Sequence, residues 1–89
     1  MIGKLNTTLV CRDGLYVLTL HSTEIVKWDD NHIELDTGGH VTATTARRMN
    51  QCAEEMDLGF RVYRKQGHMH VVHNGQDIEM LHRLLWIGR

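Results

Sequence analysis

The stretch from Thr37 to Phe60, TGGHVTATTARRMNQCAEEMDLGF, decides how the rest of the chain must fold. Met49, Cys52, Ala53 and Met56 recur at i, i+3, i+4 and i+7, the spacing that brings side chains to one face of an α-helix. Asn50, Gln51, Glu54, Glu55 and Asp57 fall on the polar side. Thr44 or Thr45 offers an N-cap hydroxyl, and Leu58-Gly59 reads as a stop with Gly59 as the left-handed C′ residue. A helix is therefore expected over about 45–58, with its apolar stripe needing something to pack against.

What surrounds it reads as short strands. Upstream, Asn6 to Arg12 alternates with Leu5, Thr7, Leu9 and Cys11 on one side, and Asp13-Gly14 is a strong two-residue hairpin signal leading into Leu15 to Leu20. That register sets Cys11 opposite Tyr16 and Leu9 opposite Leu18, leaving Val10 and Val17 on the reverse face as a second buried surface or an interface. Glu24 to Asp29 turns at Asp29-Asp30-Asn31 into His32 to Asp36, so that Val26 and Trp28 face Ile33 and Leu35. Gly38-Gly39 then makes a tight turn into Val41 to Ala43.

Downstream, Phe60 to Lys65 and His68 to His73 flank Gln66-Gly67. Asn74-Gly75 introduces a third strand from Asp77 to about Leu81. Closing these registers puts Phe60, Val62, Met69, Val71, Ile78 and Met80 on the core side and Arg61, Tyr63, Lys65, His68, His70 and Glu79 on the other. Residues 82–87 read equally as strand or as a turn of helix. The expectation is a single small α+β domain, residues 1–89, with six or seven short strands in antiparallel hairpins packed on one central helix.

Composition agrees with that and excludes other classes. Eighty-nine residues with 42% hydrophobic and 24% charged side chains suit a small globular domain, neither a disordered polyelectrolyte nor a membrane span. Met1 to Leu5 does not have the form of a signal peptide, so Cys11 and Cys52 are expected to be reduced, buried thiols in a cytosol. The formal charge is −1 but unevenly placed. Residues 1–43 are acidic, whereas residues 59–89 set Arg61, Arg64, Lys65, Arg83 and Arg89 against only Asp77 and Glu79.

The run Leu35-Asp36-Thr37-Gly38-Gly39, then Thr42, Thr44-Thr45, Arg48-Met49-Asn50-Gln51 and Leu58-Gly59-Phe60 with Val62-Tyr63, resembles small uncharacterised proteins of tailed bacteriophages. The likeness covers roughly residues 24–73 and implies a phage-encoded protein made in the cytoplasm of a bacterial host. It implies no activity, and it departs from those proteins where His40 and His70 stand at positions resembling aromatic ones.

Four constellations are candidates for function. Arg47 and Arg48 near the helix start and Glu54, Glu55 and Asp57 near its end oppose the helix dipole, at about 0.3–1 kcal/mol per charge. With the Thr44 and Thr45 hydroxyls and the free amides, the arginines form an anion or partner site, unless Arg48 pairs with a carboxylate such as Asp36. His68 and His70 share one strand face, but two imidazoles without a third ligand do not make a zinc site, and no metal or cofactor is expected. The carboxylates of Asp29-Asp30 and Glu54-Glu55 lie on a turn and a solvated helix face, and Ser22 lacks a nucleophile elbow. No enzyme is therefore expected. The strand face of Arg61, Tyr63, Lys65, His68 and His70 mixes cations with an aromatic ring, which suits a protein interface or a single-stranded nucleic-acid platform. The expected partner is a host protein or nucleoprotein complex, a defence complex inhibited in an anti-CRISPR-like way among them, with nucleic acid as the alternative. Homodimerisation stays open, and no membrane is involved.

Overall fold

A computed structural model describes residues 7–89, so the expectations for Met1 to Asn6, including Leu5 on the first strand, lie outside the described residues. Eight strands and one helix follow in the order β1(Thr7–Arg12), β2(Leu15–Leu20), β3(Thr23–Trp28), β4(His32–Asp36), α1(Ala43–Glu55), β5(Phe60–Lys65), β6(His68–His73), β7(Gln76–Glu79) and β8(Leu84–Gly88). They form a five-stranded sheet, β1-β2-β3-β4-β8, and a three-stranded sheet, β5-β6-β7, with antiparallel pairing throughout. The α+β class holds, with one strand more than expected.

Turn chemistry sets the hairpins. Asp13-Gly14, Gln66-Gly67 and Asn74-Gly75 each place both central residues at positive φ, the two-residue turn whose twist matches the flanking strands. The register of the first hairpin pairs Cys11 with Tyr16 and Leu9 with Leu18. Val26 opposes Leu35, and Trp28 opposes Ile33. A register shift after Leu18 leaves Ile25 as the extra residue of a bulge, and its side chain is buried.

One core joins the two sheets. Leu18, Val26, Ile33 and Leu35 from the large sheet and Val62, Met69 and Val71 from the small one are buried in a single cluster with Met49, Cys52 and Ala53 of α1. Met56 packs partly buried against it. Within the segment 82–87, His82 and Arg83 are bends and the strand begins at Leu84, because Leu85 and Ile87 pair with Leu35 and Ile33 of β4 and carry their side chains to the core side. Cys11 is exposed on β1, contrary to expectation. Cys52 is buried, and desolvation pushes its thiol up to about 12, which leaves it protonated and inert.

The helix is displaced from the expected 45–58. Thr42, not Thr44 or Thr45, is the N-cap, its Oγ1 accepting from the Thr45 amide at 3.2 Å. Val41 and Thr42 belong to no strand, Thr42 approaching the helix in an extended conformation, and Ala43 already belongs to α1. At the other end Leu58 N–H donates to Ala53 at 2.9 Å and Asp57 N–H to Glu54 at 3.4 Å, a Schellman motif with Asp57 as the left-handed C′ residue at φ 54. Gly59 also has positive φ, at 78, but it sits beyond the cap.

Asp57 thus bears both a side chain at positive φ and a negative charge at the negative end of the helix. Asp57→Gly is expected to stabilise the domain by about 1 kcal/mol, raising Tm by several degrees in a thermal melt. A Tm unchanged or lowered would show that the Asp57 side chain serves the cap.

Asn50 performs a task its polar position did not advertise. From α1 its Nδ2 donates to the Val62 carbonyl at 3.0 Å and its Oδ1 accepts from the Val62 amide at 2.8 Å. The side-chain amide therefore takes the place of a neighbouring strand on the open edge of β5, and it fixes the small sheet to the helix.

Candidate functional site

Alternation across β5-β6-β7 puts Arg61, Val72 and Asp77 in one cross-strand row and Tyr63, His70 and Glu79 in the next, with Lys65 opposite His68 beyond them. The opposite side of the same strands carries Val62, Val71 and Ile78 to the core. The expected face of Arg61, Tyr63, Lys65, His68 and His70 is thus one surface, all exposed except the partly buried His70.

Its centre is an ordered cluster. The rings of Tyr63 and His70 stack with centroids 4.9 Å apart and 19° between planes. Lying across β6, Tyr63 donates its hydroxyl to Asp77 Oδ2 on β7, while His70 Nδ1 meets Asp77 Oδ1 at 3.2 Å. His68 Nδ1 lies 3.5 Å from Glu79 Oε2. A histidine at position 70 therefore stacks on Tyr63 as an aromatic residue would. Asp77 was the residue missed; its place opposite Val72, one before the inward Ile78, is the alternation signal that would have found it.

Electrostatics follow from that geometry. The Tyr63 hydroxyl donating to Asp77, then the His70 contact, holds the Asp77 carboxyl below the usual carboxylate value, and the same bond to the carboxylate raises Tyr63. A depressed carboxyl stabilises the fold above its unfolded value, near pH 4, and loses that contribution as pH falls through its folded value. The raised phenol contributes below its unfolded value, near pH 10, and loses its share as pH rises through its folded value. Tyr63→Phe is therefore expected to lower Tm across about pH 4–10 and to converge with the parent outside that window. A gap of the same size at pH 2 and pH 7 would show that the hydroxyl does not act through Asp77.

Arg61 and Lys65 are matched on this face by Asp77 and Glu79, so its charge is balanced rather than basic. The cluster is not metal-like either: among the described residues no group of three or more His, Cys, Asp or Glu could hold an ion.

The helix-start residues do not join this face. Thr44 and Thr45 line a cavity of about 440 Å³ beside Thr42, Thr37, His40 and Ser22, and none of the strand-face residues borders it. Thr45 is buried and accepts from the Thr42 hydroxyl at 3.0 Å, so its oxygen is already engaged. With Thr42 as cap, Arg47 and Arg48 fall in the second turn, where the dipole penalty is weaker. Neither pairs with Asp36: Arg48 Nη1 donates to Gln51 Oε1 at 2.8 Å, and Asp36 meets Arg83 at 3.4 Å. Arg47 is exposed, and Arg48 Nε is buried without a partner.

A second surface is the outer face of the five-stranded sheet, where Val10, Val17, Lys27, Glu34 and Trp86 form one row. Lys27 Nζ lies 3.0 Å from Glu34 and 3.5 Å from Glu24, which in turn meets Arg12 at 3.7 Å. Hydrogen bonding to Glu34 raises the Lys27 pKa. Around this network Val10, Leu15, Leu84 and Trp86 are exposed, Trp86 to 63%, while Val17 is buried. Val10 is thus exposed while Val17 is buried, so the two do not make a second buried surface together, and Trp86 joins Val10 on the exposed side.

None of the described helices is long and apolar enough to cross a membrane. Neither a curated protein nor a solved structure matches the chain. The sequence profile of the Kyanoviridae Gp96 protein, a phage family, does match it, over residues 2–83, from the start of the chain through the strand face to the residue before β8. With nearly all of its length covered, this chain is a phage protein belonging to the Kyanoviridae Gp96 family.

Proposed function

We propose that this phage protein is a non-enzymatic binding protein that occupies a macromolecule in the cytoplasm of its bacterial host. The target class is a host protein or nucleoprotein complex, such as a defence complex inhibited in the anti-CRISPR manner. The observation that carries the reading is the charge balance of the β5-β6-β7 face. Arg61 shares a cross-strand row with Asp77, Glu79 lies in the row of Tyr63 and His70, and Lys65 flanks them opposite His68, around a pre-ordered Tyr63–His70 stack. Interleaved charge about an aromatic centre suits a protein surface, because it specifies orientation without attracting phosphate indiscriminately.

A nucleic-acid partner is the second reading, favoured by the stacked ring pair beside two cations. Capture from bacterial lysate on the immobilised protein, with and without nuclease and at stepped salt, separates the two. A host protein retained after nuclease treatment, with only modest weakening between low and moderate salt, supports the first. Loss on nuclease treatment, or a fall of about 10³–10⁵ in affinity between 50 and 200 mM salt, transfers the case to nucleic acid.

A further inference from the structure

Among the described residues four strands stand at the edges of the two sheets, where outward backbone groups invite pairing, and three of these edges are defended. The β5 edge is taken up by the Asn50 amide. Short β7 carries Asp77 and Glu79, and β1 is flanked by polar Thr7 and Thr8 and by Arg12. Strand β8, Leu84-Leu85-Trp86-Ile87-Gly88, has no charge, no proline and no bulge in its pairing with β4. Leu81 at 75% and Trp86 at 63% are the most exposed large hydrophobic residues described, and Leu84 at 42% joins them on the same segment.

The ladder shows which groups are open. Arg83 O accepts from Thr37 N at 2.9 Å and Arg89 N donates to Asn31 O at 2.9 Å, so residues 83, 85, 87 and 89 turn their amides and carbonyls toward β4. Leu84, Trp86 and Gly88 turn theirs outward.

We propose that β8 pairs antiparallel with β8 of a second copy, about a two-fold axis at Trp86, joining two five-stranded sheets into one. Only this centre uses all the outward residues. Trp86 meets Trp86 of the second copy, and Leu84 meets Gly88 at both ends, closing six backbone bonds. Moving the centre one residue either way leaves Gly88 or Leu84 without a β8 residue opposite it. Side chains agree with the same register. Gly88 leaves room for Leu84 beside the paired tryptophans on the outer face, and Leu85 continues the core side against Ile87. Arg83 and Arg89 would meet at the ends, but Arg83 already has Asp36 at 3.4 Å and Arg89 Nη1 is held on Asp29 O at 2.9 Å. The two-fold contact is closed, so it ends at a dimer instead of propagating.

Sedimentation equilibrium from micromolar to millimolar concentration tests the pairing. The wild type is expected to rise from 10.3 kDa toward twice that mass. Trp86→Lys, at a solvent-exposed position, should keep the monomer fold by circular dichroism and weaken the dimer roughly tenfold or more. Register is read separately by mild oxidation in a Cys11→Ser background. Trp86→Cys should cross-link, because facing residues in such a pair have Cα atoms about 5.5 Å apart, within disulfide range. Leu84→Cys, which faces Gly88, should not. A wild type that stays monomeric throughout, a dimer unaffected by Trp86→Lys, or cross-linking at residue 84 as readily as at residue 86 would overturn the proposal.

Discussion

Met49→Asp is expected to abolish the folded domain. Met49 is fully buried in the cluster that joins α1 to both sheets, so an aspartate there is an unpaired charge with no route to water. The cost exceeds about 4–5 kcal/mol, the range reserved for such burials. A domain of this size has only about 4–13 kcal/mol to lose. Circular dichroism should show a chain largely unfolded at 25 °C, or one whose Tm has fallen by tens of degrees. A melt within a degree or two of the parent would mean that the helix stripe does not face the core.

The second large effect belongs to Asn50. Asn50→Ala removes both bonds to the Val62 backbone, and Val62 is 3% exposed, so little water reaches the groups left behind. Two unsatisfied backbone groups at about 1–3 kcal/mol each predict a loss of about 2–4 kcal/mol in urea unfolding, once partial relaxation is allowed for. Asn50→Asp distinguishes the mechanism from loss of size. It keeps an acceptor for the Val62 amide but sets a carboxylate oxygen against the Val62 carbonyl, so it too should destabilise. Either variant within 0.5 kcal/mol of the parent, the ordinary range for surface changes, would show that the β5 edge does not depend on this side chain.

Asn50 also marks where sequence reading stops. Local features were legible because they are written locally. Three Asx-Gly or Gln-Gly pairs gave three hairpins with their registers, and period-two alternation sorted the faces of β5 and β6 correctly. Whether a polar helix residue meets solvent or a strand edge depends on what lies across the fold, and nothing in the helix records it. The same holds for β8, whose partner β4 is some fifty residues away and whose apolar run fits strand and helix alike. The helix start was misplaced by two residues because Thr42, Thr44 and Thr45 are equivalent as caps in sequence. Only backbone geometry chose Thr42. That shift matters to function, since it moves Arg47 and Arg48 out of the first turn and leaves Thr45 buried and bonded. For the candidate surface, alternation found its cations and rings, while the bond from Tyr63 across β6 to Asp77 required the assembled sheet.

The proposed mode of action rests on the strand face acting as a preformed protein interface, with Tyr63 as its anchor and Arg61 as its charged neighbour. Aromatic and arginine residues at the centre of an interface typically dominate its energy, at about 2 kcal/mol or more each when truncated. The direct measurement is the affinity of the captured host protein for wild type, for Tyr63→Ala and for Arg61→Ala, by calorimetry at one salt concentration, with each variant's fold checked by thermal melt. The account predicts that both variants stay folded and that Tyr63→Ala binds at least about thirtyfold more weakly, the equivalent of 2 kcal/mol. Folded variants that bind as tightly as wild type would contradict it and take the binding site off this face.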